Sequence, residues 1–77
     1  MLNEHEYNKY LKKHITHYIV SVFQGRGKYD KHKFINFADA KAFYLVLKDK
    51  NPILQGAVYG ISEPKDKPYP MNVFMEI

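Results

Sequence analysis

Between Ile15 and Gln24 the chain reads ITHYIVSVFQ, and Gly25-Arg26-Gly27-Lys28 follows at once. β-Branched and aromatic side chains suit a pleated backbone, and two glycines in three positions supply the positive φ values that a tight reversal requires. Together they dictate a strand running into a hairpin, and the rest of the chain has to be arranged around it. Alternation sends Tyr18, Val20 and Val22 to one face and Ile19 and Phe23 to the other. Both faces are mostly apolar, which predicts a strand covered on two sides. The return segment, Tyr29 to Ile35, turns Tyr29, Lys31 and Lys33 outward and His32 and Phe34 inward, the pattern of a strand with one wet face.

The flanking segments follow from periodicity and punctuation. Asn3 to Lys13 lacks Gly and Pro and places Tyr7, Tyr10 and Leu11 at helical spacing, with acids early and lysines late, as the helix dipole prefers. A second helix is expected from Phe37 to about Lys50. Asn36 is a suitable N-cap with Asp39 three residues on, Ile35 is placed to staple onto Ala40, and Asn51-Pro52 ends the helix. Its stripe is Phe37, Ala40, Phe43, Tyr44 and Leu47. Ile53 to Ser62 reads as a third strand, with Leu54 and Val58 on one face, Tyr59 and Ile61 on the other, and Gly56 and Gly60 as bulge or close-contact points. The prolines at 64, 68 and 70 make 63–70 a loop. Met71, Val73, Met75 and Ile77 then alternate as a fourth strand, whose partner is either this chain or a second copy.

The fold class is therefore α+β, a small two-layer domain in the order α-β-β-α-β-(β). Its antiparallel or mixed sheet of three to four strands has one main helix packed on one face. The single domain over 1–77 divides into an N-terminal helix (1–13), a ββαβ core (14–62), the proline-rich loop (63–70) and the terminal strand or tail (71–77). The expected core is Val20, Val22, Phe34, Phe37, Phe43, Tyr44, Leu47 and Val58. With 77 residues and no cysteine the chain has no covalent staple, and a fold of this size buries only about 60% of its unfolded surface. Seven tyrosines and five phenylalanines have to compensate.

Function is bounded mainly by exclusion. Cysteine-free composition and a polar, acidic N-terminus fit a cytoplasmic protein, and no uncharged run approaches the ~20 residues of a membrane span. No carboxylate pair, nucleophile with its base, or thiolate set is present, so the chain reads as a non-enzyme without cofactor or small-molecule substrate. His14 and His17 have metal-like spacing that His32 could join across the hairpin, but histidines beside lysines compete poorly for a cation, and the reading is no metal. Gly25-Arg26-Gly27-Lys28 is too short for a phosphate loop and precedes a strand rather than a helix.

What remains is a local charge excess. From Lys9 to Lys33 seven basic residues face Asp30 alone, whereas residues 34–77 balance five lysines against five acids. Arg26, Lys28, Lys31 and Lys33, with Tyr29 between them, put positive charge and a stacking ring on a hairpin able to contact DNA or RNA. Lysines on an exposed strand also serve to block edge-to-edge aggregation.

The run from Tyr18 through Gly25, Lys28, Lys33, Phe34 and Phe37 to Asp39-Ala40 and Phe43 resembles the arm-type DNA-binding domain that opens tyrosine recombinases. That family has three strands before its helix, whereas two are read here. Two functional readings stand: a non-enzymatic interaction module that self-associates as a homodimer, in the style of a viral or microbial accessory protein, and a nucleic-acid-binding module using the basic hairpin.

Overall fold

The computed structural model describes residues 3–77. Helix α1 (Glu4–Lys13) leads into strand β1 (Ile15–Gly25), a hairpin to β2 (Lys28–Phe34), helix α2 (Phe37–Lys50), and strands β3 (Gly56–Ser62) and β4 (Met71–Met75). The four strands form one antiparallel sheet in the order β2-β1-β3-β4. The expected α+β class and element order are met. The terminal strand finds its partner within the chain, Val73 lying opposite Gly60 and Phe74 opposite Tyr59. Two strands precede α2, so the three-strand topology of the recombinase arm domain is not reproduced.

The hairpin turns on Arg26 and Gly27, with φ of 55° and 72°, after Gly25 at 86°. Two central residues in the left-handed region match the right-handed twist of the strands they join. In α1, Asn3 caps the helix by accepting the Glu6 N–H at 2.8 Å. Asn36 makes no such bond at the start of α2. Its Nδ2 donates instead to the Asp39 carboxylate at 3.4 Å, and Ile35 stays 67% exposed, so the expected staple does not close. The third strand begins at Gly56 rather than Ile53, because Pro52 and the turn from Asn51 to Leu54 are spent reversing the chain after α2.

Both helices lie on the same side of the sheet. α2 packs over β1, β3 and β2. α1 is tied down where Ser62, fully buried, donates its hydroxyl to the Leu11 carbonyl at 2.6 Å. Tyr10 donates to Asp66 at 3.2 Å, holding the proline loop against α1; desolvation of the ring and the Asp66 carboxylate raise the phenol's pKa. Beneath the helices, Val20, Val22, Val58 and Ala40 form the central cluster, with Leu11 and Val73 also buried. Phe34, Phe37, Phe43, Tyr44 and Leu47 pack against that cluster but are only half-buried, contrary to expectation. The cause is geometric. A 14-residue helix is about 21 Å long and ~10 Å wide, and its large side chains span the rim of the layer while the valines fill its centre.

The same arithmetic leaves the opposite face open. Two helices of 10 and 14 residues suffice for one side of a four-stranded sheet. β1, read as covered on two sides, is covered on one.

Candidate nucleic-acid interface

The uncovered face can be built row by row from the strand registers. Phe23 lies opposite Tyr29, and Lys31, Ser21 and Ala57 form the next row on this side. Lys33, Ile19, Tyr59 and Phe74 make the third, and His17, Ile61 and Asn72 the last. Side chains two apart share a face, so these residues all project away from the helices. No carboxylate occupies any of these strand positions.

The rings are grouped in two pairs. Phe23 and Tyr29 meet with centroids 5.2 Å apart and tilted by 56°. Tyr59 and Phe74 meet at 6.0 Å, edge to face. These separations lie within the range where aromatic rings stabilise one another. Tyr29 and Phe74 nevertheless keep 56% and 60% of their surface in solvent. The pairs are offset by four residues along β1, about 13 Å at strand rise. Between them the floor is made of small side chains, Ser21 and Ala57. A shallow cavity of about 350 Å³ opens over Ser21, edged by Tyr29, Lys31, Tyr59 and Ile61. A second of about 210 Å³ adjoins it at Phe23 and Ala57. Large residues at the ends of a small-residue floor thus produce a trough rather than a flat sheet.

The residues singled out by sequence divide. Tyr29, Lys31 and Lys33 stand on the open face together, all exposed. Lys28 falls in the phase of Asp30 and His32, toward the helix side, and Arg26 occupies the turn. The hairpin therefore does not present the four cations on one surface. His17 lies on the open side, accepting or donating at the Thr16 hydroxyl over 2.9 Å, whereas His32 lies tilted by 52° against Phe43, centroids 4.8 Å apart, on the helix side. The hairpin separates these two histidines instead of joining them.

Phe23, Tyr59 and Phe74 were not among the sequence candidates. Their strand phases were legible, but the order of strands that gathers them beside Lys31 and Lys33 was not. Comparison with protein-family models, curated proteins and solved structures returns no match for this chain. The geometry of this face alone carries its functional reading.

Proposed function

We propose that the chain is a non-enzymatic binding module that takes single-stranded nucleic acid across the open face of its sheet. The observation that supports this is the gathering of two ring pairs and two lysines on one open sheet face whose strand positions carry no carboxylate. Unpaired bases stack on aromatic side chains, and lysines neutralise the phosphates that follow the same path. The trough over Ser21 and Ala57 gives a base room to lie between Tyr29 and Tyr59, and Lys31 on its wall meets the backbone. A duplex, whose bases are already stacked, gains only the charge term.

Titration of a labelled oligo-dT or oligo-U tests the reading. The chain has seven tyrosines and no tryptophan, so stacking is also read as quenching of tyrosine emission. Single strands should bind more tightly than duplex of the same length, and affinity should fall with salt. Replacing Lys31 and Lys33 together by Gln should reduce the log–log salt slope by about 1.4, at ~0.7 per phosphate contact on a single strand. Tyr59→Ala should weaken single-strand binding by about 1–3 kcal/mol for the base it stacks. Absence of binding to DNA and RNA at low salt, or binding indifferent to both sets of changes, would end the proposal.

A further inference from the structure

The two edges of the sheet differ in a way that matters for a second copy of the chain. β2 forms one edge and reads KYDKHKF, with Lys28, Asp30, Lys31 and Lys33 along it. Charged residues, lysine above all, are how natural sheets prevent edge-to-edge pairing. β4 forms the other edge and reads MNVFM, without a charge. Phe74 and Ile77 are 60% and 47% exposed there. An apolar groove of about 380 Å³ runs between this edge and α2, floored by Val58 and flanked by Tyr44, Leu45 and Met75.

The direction of the free backbone groups on β4 follows from the ladder. Phe23 donates its N–H to the Gln55 carbonyl at 2.8 Å, so the odd residues of β1 from Ile19 to Phe23 face β3 with their backbone groups. Ile19 pairs with Tyr59, so Tyr59 faces β1, and its neighbours Val58 and Gly60 face β4. Their partners Met75 and Val73 use their backbone groups inside the sheet. Asn72 and Phe74 therefore direct theirs outward, unpaired among the described residues.

We infer that β4 pairs antiparallel with β4 of a second copy, about a two-fold axis at Val73. In that register Asn72 pairs with the partner's Phe74, and Phe74 with the partner's Asn72. Every outward N–H and C=O of these residues is then satisfied. Val73 meets its own counterpart as a non-hydrogen-bonded pair, and Met75 lies opposite the partner's Met71. The interface is isologous and closes on itself, giving a continuous eight-stranded sheet whose outer edges are both the lysine-bearing β2. A one-residue slip would set inward-facing groups against outward-facing ones.

Sedimentation without nucleic acid tests the interface, so its outcome is independent of what the open face binds. The mass should double from 9.1 kDa as concentration rises through the micromolar range. Asn72→Pro deletes an outward N–H and no bond among the described residues, so it should abolish dimerisation while leaving the circular dichroism spectrum unchanged. Val73→Cys introduces the sole thiol of the chain at the axis, where paired Cα atoms lie about 4.5 Å apart, within disulfide reach. With oxidised glutathione it should give a covalent dimer, and Lys31→Cys should not. Monomer mass up to millimolar concentration overturns the inference, as does a dimer that survives Asn72→Pro without cross-linking through Val73→Cys.

Discussion

Gly60 offers a sharp test of how the first layer is packed. Its backbone is not in the left-handed region, so alanine is conformationally acceptable, and the consequence of Gly60→Ala is decided by space alone. A methyl group there would sit 2.5 Å from Cδ1 of Ile15 and 3.2 and 3.3 Å from its Cγ1 and Cγ2. Overpacking of this kind destabilises by about 1–3 kcal/mol. Loss of glycine freedom in the unfolded chain returns about 0.4–1 kcal/mol. The net is ~1–2 kcal/mol, which for a domain of this length lowers Tm by about 4–16 °C. Ile15→Val removes the Cδ1 that makes the closest approach and by itself costs about 0.5–1.5 kcal/mol. The double variant should therefore be about as stable as Ile15→Val alone, with a coupling energy of ~1 kcal/mol or more in thermal or urea unfolding. Gly56→Ala provides the contrast: its methyl would lie 2.7 Å from the Ser21 carbonyl oxygen, a backbone atom that cannot rotate away, and no side-chain substitution should rescue it. Additive behaviour of Gly60→Ala and Ile15→Val would refute the reasoning.

Two further substitutions probe local devices. Arg26 holds φ at 55° ahead of Gly27, so Arg26→Asn, which supplies the residue type that best tolerates the first position of this turn, should stabilise the fold by about 0.5–1 kcal/mol and raise Tm by a few degrees in calorimetry. Ser62→Ala removes the buried hydroxyl that donates to Leu11, whose carbonyl keeps the His14 N–H at 3.1 Å. It should cost about 1 kcal/mol, with faster amide exchange in α1 than in β1.

Much of this architecture was legible because local signals agreed with one another. The β-rich run before Gly25 specified β1, the two glycines specified the hairpin, and the stripe from Phe37 to Leu47 bounded by Asn51-Pro52 located α2 at its observed limits. The phases of Tyr29, Lys31 and Lys33 were read correctly for the same reason. What stayed hidden depends on contacts between distant segments. Nothing local states that β3 inserts beside β1 rather than beside β2, and only that choice brings Tyr59 and Phe74 to the face of Lys31 and Lys33. Ile19 and Phe23 looked like the second buried side of β1, because an apolar strand face reads alike whether it meets another layer or solvent. The depth of the core was also overstated. Helical periodicity identifies which residues face the sheet, but not how far a single helix can exclude water from rings as large as Phe37 and Phe43.

On the proposed function, the thinness of that core would couple folding to the ligand of the open face. The largest side chains wholly withdrawn from solvent are Val20, Val58 and Ser62, and a chain of 77 residues has a total stability of about 4–12 kcal/mol. A ligand present at a hundred times its dissociation constant adds ~2.7 kcal/mol to the folded state, a substantial fraction of that total. At about 4–8 °C per kcal/mol, the melting temperature would rise by roughly 10–20 °C. On the proposed function, occupancy of the sheet face would add to the folded state's stability, and a proteolysis rate would fall as ligand is supplied.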